Sequence, residues 1–458
     1  MPPSVNTVAV KSWGRGNLGP ARTQKSRNLD LALKILVPVG LLLSLVVALR
    51  LGSLNGYLGL FDGNSYRTPL LALGAGYSLA FLLFQGVRTV LWWRYKPYPL
   101  ATGPLPAVTV VIPAYNEGAM VEKAIYSVAA SDYPADRLEI ICIDDGSKDD
   151  TWTYIQRAQQ RHPELIQAIR FPLNRGKREA LHAGFTRGRG EYFVTVDSDS
   201  VIEPDTLKQI LAPMIQDPQI GAVAGNVKVY NRSANLVTRM LWVRFVLSFD
   251  FLRASQSMYG FVFCTPGALS AYRRTAIFPV LKAWRGQTFL GVPCTIGEDR
   301  AFTNLVLRQG YHTAYQRTAV VHTTVPETYW GMCRMFLRWD RSNFRESLIQ
   351  LSFMFSRYRK GNRILPILDF FVREMEFPLS MVFIPLLLVS ICLYPLILLK
   401  FVTALALISF ILTSYYIAVE KDLDFIYGVI YSFYAFLLMK WIRPYAFLTL
   451  RDGRWLTR

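Results

Sequence analysis

Apolar residues in this chain form two kinds of run, and their positions set the expected architecture. Long apolar stretches lie toward the two ends, at 35–49 (with 29–33 able to extend it), 70–93, 377–399, 401–419 and 425–438, and the last continues past Lys440, Arg443 and Pro444 into 445–450. The longer ones reach about 20 residues, the length that crosses a bilayer as a helix. The second ends on Trp92-Trp93-Arg94-Tyr95-Lys96, an aromatic belt followed by positive charge. In the middle, short β-branched runs alternate with helical spacing. Strands are predicted at 108–113, 138–143, 166–171 and 192–196, and helices at 117–130 after a cap-like Asn116, at 149–161 and at 178–187. Strands alternating with helices of this length make parallel βαβ units. The expected fold is an α/β, Rossmann-like cytoplasmic domain inserted between the transmembrane helices of an integral membrane protein.

This pattern divides the chain into a basic cytoplasmic tail (1–30), two transmembrane helices (31–96), a cytoplasmic α/β domain (107–320), interfacial amphipathic helices (321–365), C-terminal transmembrane helices (377–450) and a tail (451–458). The first span starts late and lacks a small-residue cleavage site, unlike a signal peptide. The tail before it carries Lys11, Arg15, Arg22, Lys25 and Arg27 and no acid until Asp30. Positive-inside bias puts that tail and the central domain in the cytoplasm of a multi-pass cell (plasma or inner) membrane protein. Five clean crossings in all would leave a basic C-terminus outside, so the final segment is expected to break at Pro444 and re-enter or return. Between about 326 and 358, Trp330, Phe336, Trp339 and Phe344 are expected to form the apolar side of an interfacial helix, with Arg334, Arg338, Arg341 and Arg345 on its charged side.

Composition narrows the function classes. The chain has 458 residues, 52% of them hydrophobic, and a formal net charge of +19. The basic residues are spread over membrane flanks and the 334–363 region, with no recognised nucleic-acid module. Anionic lipid and an anionic substrate explain the charge better, and no nucleic-acid partner is expected. The five Cys show no CxxC spacing, and the four His offer no zinc constellation. Cys142, Cys264 and Cys392 sit in apolar surroundings and read as reduced, packed thiols.

The candidate chemistry sits at strand ends. Two apolar strands release carboxylates at their C-terminal ends, Asp144 and Asp145 after one and Asp197-Ser198-Asp199 after another. Ligands of α/β sheets collect there. Asp144 and Asp145 can accept hydrogen bonds from a nucleoside. Asp197 and Asp199 can hold Mg2+ or Mn2+ against a diphosphate, because hard cations want oxygen ligands. Lys177 and Arg178 follow the third strand, where they can meet phosphates. Glu298-Asp299 supplies a carboxylate able to deprotonate a hydroxyl, and Arg338 a fork for a leaving diphosphate. Base, metal and cationic clamp together describe group transfer from a nucleotide-activated donor.

With these residues in hand, the chain resembles the processive, membrane-embedded synthases of glycosyltransferase family two, nearest to hyaluronan synthases and nodulation chitin-oligosaccharide synthases. The resemblance rests on the 111–117 segment, Asp145, Asp197/Asp199, the 265–274 segment beginning Thr265-Pro266-Gly267, Gly297-Glu298-Asp299-Arg300, Arg338-Trp339, the 230–235 and 338–347 stretches and the terminal 455–458. It implies a GT-A-like domain, a UDP-sugar donor, a growing polysaccharide as acceptor at the Thr265–Gly267 segment, and membrane lipid around the chain. It also implies that Asp299 is the base, with Glu298 beside it, that Lys177 and Asp197 contact the donor, and that Arg338 and Trp339 touch diphosphate and acceptor. The product implied is a β-linked, hyaluronan- or chitin-like exopolysaccharide. One position departs: Met335 stands where the family has Gln, and as the neighbour of Arg338 on one helix face it is expected to look toward the acceptor channel. A non-processive transferase using a lipid-linked acceptor, and a non-catalytic relative that kept the fold, remain open readings.

Overall fold

A continuous run of β-branched residues cannot expose either face of its strand, and the strand Val108–Ala114 (β1) is buried along its whole length. That is the signature of a parallel strand covered on both sides. The computed structural model describes residues 24–50, 67–356, 358–359 and 361–454. The basic residues Lys11, Arg15 and Arg22 and the terminal 455–458 stretch lie outside the described residues.

Seven further strands complete one sheet with β1: Leu138–Asp144 (β2), Ile166–Arg170 (β3), Tyr192–Val196 (β4), Ser200–Ile202 (β5), Ile220–Val229 (β6), Leu269–Arg273 (β7) and His312–Thr323 (β8). Their order is β3-β2-β1-β4-β7-β6-β8-β5. The expected parallel units are present, with β1 between β2 and β4 in register Val108 to Leu138 and Val108 to Tyr192. The other half departs from a purely parallel sheet, since β7 runs antiparallel to both β4 and β6 and β5 antiparallel to β8. The sheet also continues to Thr323, beyond the boundary expected at 320.

The helices that matter below are Gln24–Arg50 (α1), Arg67–Arg94 (α2), Lys177–Arg187 (α3), Glu298–Arg308 (α4), Tyr329–Leu351 (α5), Ile364–Glu374 (α6), Glu376–Leu393 (α7), Leu396–Glu420 (α8), Phe425–Leu438 (α9) and Ile442–Leu448 (α10). Among the described residues, Ile364–Leu393 and Leu396–Glu420 are long and apolar enough to cross a membrane, and α9 with α10 adds a third candidate bent by 52°.

Several sequence expectations need correction. The helix expected from 117 begins at Met120, and Asn116 does not cap it. Asn116 instead sits in the left-handed region (φ 52°) and accepts the Lys148 N–H. The break between the two C-terminal spans falls at Tyr394-Pro395, leaving Lys400 inside α8. The ring of Pro395 disfavours a helical residue before it. The last segment bends before Trp441 and not at Pro444, which lies in the first turn of α10, where a missing N–H is harmless. On α5 the expected charged side is not solvated: Arg341 and Arg345 are buried. Arg341 pairs with Asp452 at 3.1 Å, and Arg345 donates to the Ile296 carbonyl.

Met335 is corrected as well. It is buried in the main core, on the side of α5 that packs inward. An unbranched thioether fills such gaps well. Met335→Gln should therefore destabilise the fold by about 1–3 kcal/mol, the cost of burying an unpaired amide. Thermal unfolding should show the loss, while the activity per folded molecule stays unchanged.

Buried polar contacts tie the apolar helices to the sheet domain. Asp30 on α1 accepts from Arg239 at 3.0 Å and from the Tyr427 hydroxyl at 2.5 Å. Asp369 on α6 pairs with Arg88 of α2 and accepts from Gln256 at 3.0 Å and Tyr259 at 2.5 Å.

Candidate active site

The C-terminal edge of β1, β2 and β4 opens into a cavity of about 660 Å³, lined by Tyr115, Asp145, Gly176, Lys177 and Thr295 among others. A volume in the several-hundred Å³ range suits a nucleotide-sized ligand. Asp145 holds the floor by accepting the N–H groups of Arg175 at 2.7 Å and Gly176 at 2.8 Å. Burial raises its pKa, and those two donors offset the rise only in part. Asp144, expected as a substrate contact, does not reach the cavity. It is fully buried, accepts the Ser147 N–H at 2.9 Å and lies 3.2 Å from Arg170. Its work is to shape the loop that presents Asp145.

Beside this cavity four carboxylates converge on two cations. Lys177, the first residue of α3, reaches Asp197 at 2.5 Å and Glu298 at 3.1 Å. Burial lowers its pKa, but Asp197 and Glu298 more than reverse that and keep the ammonium charged. Arg338 is half-buried; burial lowers its pKa, and Glu298, Asp197, Asp299 and Asp199 offset that only in part. Asp199 accepts from Thr323 at 3.2 Å. Burial, then the negative charge of Asp197, push its carboxyl up to about 6. Ser198, between the two aspartates, donates to Glu117 at 2.9 Å.

Two glycines make this crowding possible. At Gly267 a Cβ would stand 2.6 Å from the Lys177 ammonium, and its N–H donates to Asp299 at 3.3 Å. Gly297 precedes α4 in the left-handed conformation (φ 72°), and a side chain there would also collide with Ser342. That turn delivers Glu298 and Asp299 into different surroundings. Burial disfavours the Glu298 carboxylate, but Lys177 overcomes this and lowers its pKa. Asp299 accepts from the Arg300 N–H at 2.7 Å and lies 3.6 Å from the Cys264 thiol, with no salt bridge among the described residues. Burial, reinforced by Glu298, raises its pKa.

The structure thus brings together Asp145, Lys177, Asp197, Asp199, Gly267, Glu298, Asp299 and Arg338. It does not bring in Thr265, whose buried hydroxyl is engaged by Thr303 at 2.8 Å and Tyr272 at 3.0 Å. Trp339 packs against Phe336 (5.5 Å) and Phe245 (6.1 Å). Arg178 turns away from the cavity to the Trp284 carbonyl at 2.5 Å. Cys264, expected as a packed thiol, touches Asp299, and no local sequence signal marks that contact. Thr295 is a second residue the sequence did not flag: it donates to the Gly453 carbonyl at 2.5 Å and so places residues 453 and 454 at the cavity rim. No group of three or more His, Cys, Asp or Glu able to hold a metal occurs among the described residues. Asp197 and Asp199 supply two carboxylates, so further ligands would come from a bound diphosphate or water.

Comparison with known proteins agrees with this geometry. Residues 109–278 match the model of glycosyl transferase family 2. An N-acetylglucosaminyltransferase of Azorhizobium caulinodans is 31% identical over 88% of this chain and 98% of its own. The N-acetylglucosaminyltransferase of Rhizobium leguminosarum bv. viciae is 37% identical, over 55% of this chain and 59% of that one. A hyaluronan synthase of Streptococcus pyogenes is 35% identical over 60% of this chain and 66% of its own length. In fold, the chain is similar to a mannosyltransferase of Pyrobaculum calidifontis solved with GDP-Man and Mn2+, with TM-score 0.55 and 23% identity over 81% of this chain and 98% of that one. The nearly full-length match to the Azorhizobium protein, and the carboxylate cluster at the sheet edge, make this chain a glycosyltransferase belonging to glycosyl transferase family 2.

Proposed function

We propose that the chain polymerises sugar from UDP-sugar donors into a β-linked, hyaluronan- or chitin-like polysaccharide on the cytoplasmic face of a cell membrane, and that its membrane helices pass the growing polymer outward. The observation that carries the reading is the asymmetry of the two neighbouring carboxylates. Glu298 is neutralised by Lys177, whereas Asp299 faces N–H and thiol groups, has no ion pair among the described residues and has a raised pKa. A carboxylate whose pKa is raised toward neutrality is matched to proton abstraction.

The residues then divide the work. Asp145 and the loop it holds receive the nucleoside. Asp197 and Asp199 would hold Mg2+ or Mn2+ against the diphosphate, and the four carboxylates outnumber Lys177 and Arg338, which suits a divalent cation. When bound, that cation supplies charge stabilisation for the departing diphosphate. Arg338, whose guanidinium keeps its charge, clamps the leaving UDP. Asp299 takes the proton from the acceptor hydroxyl as that oxygen attacks the anomeric carbon opposite UDP, and the configuration inverts.

Purified protein given a panel of UDP-sugars with Mn2+ or Mg2+ should release UDP and build a product of high mass. Failure of every UDP-sugar to yield UDP would overturn the reading. Addition of single sugars to extracted lipid, with no polymer, would replace it with transfer to a lipid-linked acceptor.

A further inference from the structure

A second cavity, of about 80 Å³, shares no residue with the donor cavity and is closed by side chains of four helices: Arg300 (α4), Asp340 and Asn343 (α5), Arg373 and Glu374 (α6), and Arg443 (α10). Three guanidiniums in one small space are costly unless acceptors meet them. Some of their N–H groups are met. Arg300 donates to Asn343 at 2.6 Å and Ser347 at 2.8 Å, Arg373 to Glu374 at 2.9 Å, and Arg443 lies 3.2 Å from Glu376. Each of the three nevertheless keeps one buried nitrogen without a partner: Nε of Arg300, Nη2 of Arg373 and Nε of Arg443. Three carboxylates, Asp340, Glu374 and Glu376, stand beside the guanidiniums, yet these three nitrogens stay unmet.

Size and position narrow the ligand. At about 30 Å³ per water, the space takes two to three waters or one tetrahedral oxyanion, and is too small for a sugar ring. Planar guanidiniums recognise phosphate oxygens in pairs. The cavity also lies at the polar end of a membrane-length helix: Glu376, which begins α7, is shared by Arg443 at 3.2 Å and Lys440 at 3.6 Å. Basic pockets at that level are where lipid phosphates sit. Asp340 shares the space, and burial pushes its carboxyl up to about 6 despite the nearby Arg443.

We infer that this cavity binds a phosphate group through Arg373 and Arg443, with Arg300 behind them, and that occupancy ties α4, which carries Asp299, to α5, α6 and α10. The phosphate is either the headgroup of an anionic lipid or free inorganic phosphate. The inference does not depend on the donor sugar or on the polymer.

The test is binding, read without activity. Thermal unfolding of the purified full chain would be followed by tryptophan fluorescence in non-ionic detergent, with inorganic phosphate or with chloride at equal ionic strength. It would be repeated in phosphatidylcholine vesicles with and without phosphatidylglycerol. Wild type should gain about 2 °C or more with the phosphate-bearing partner, the shift expected of a ligand that binds only the folded state. Arg373→Gln and Arg443→Gln should lose that gain; Arg443 is partly exposed, so its variant folds even if the Arg373 one does not. A gain with inorganic phosphate identifies the free ion, and one confined to phosphatidylglycerol vesicles identifies the headgroup. No gain for wild type in either setting, or an equal gain in Arg443→Gln, overturns the proposal.

Discussion

Replacing Asp299 with Asn should leave UDP-sugar binding intact and slow polymer formation by about 10²-fold or more, the scale of a lost general base. The amide keeps the shape of the carboxylate, and its one oxygen can still accept the Arg300 N–H, which Asp299 takes on Oδ1, while the Gly267 N–H on Oδ2 is lost. What disappears is the capacity to take a proton. Glu298→Gln provides the contrast. Glu298 is the counter-charge of Lys177, so its loss should disturb the donor side first and raise KM for UDP-sugar. Initial rates and KM for both variants separate the two roles. Wild-type elongation by Asp299→Asn, together with a collapse of kcat in Glu298→Gln, would move the base to Glu298.

Asp199→Ala should all but abolish turnover. Charge stabilisation by a metal on a leaving diphosphate is worth several kcal/mol, and each 1.4 kcal/mol is about a decade in rate, so a loss of about three decades is expected. The fold should survive, because the contacts of Asp199 to Ser200 and Thr323 are hydrogen bonds from hydroxyls that alanine leaves close to solvent-accessible space at the site. EDTA should silence the wild type to the same floor, and added Mn2+ should restore the wild type but not the variant. Unchanged activity of Asp199→Ala in EDTA would remove the metal from the scheme.

The sequence disclosed β1, β2 and β4 because these strands are buried on both faces and so read as apolar runs. It did not disclose β7 and β5. A five-residue strand such as Leu269–Arg273 carries too little pattern to reveal its direction, which comes from pairing with distant β4 and β6. Among site residues, aspartates at strand ends were legible as a class, but two adjacent ones are not equal. Asp145 reaches the cavity and Asp144 does not, because successive side chains of a strand point to opposite sides. Thr265 and Arg178 misled for a common reason: a polar residue near a site reads as a ligand contact until its buried partners, Thr303 and Trp284, are known. The Cys264–Asp299 contact joins loops 35 residues apart and has no local signature.

The contacts of Asp30 and Asp369 bear on how the chain can be handled. Removing one member of a buried ion pair typically costs about 3–5 kcal/mol, because the other charge is left stranded. An excised fragment spanning 107–320 would strand one such charge and two polar groups: Arg239 would lose Asp30, and Gln256 and Tyr259 would lose their acceptor Asp369. That is a large share of the stability of an ordinary domain. A soluble fragment cut for crystallography or screening would thus be a poor stand-in for the enzyme, and inhibitor discovery against it belongs in detergent or nanodisc preparations of the intact chain.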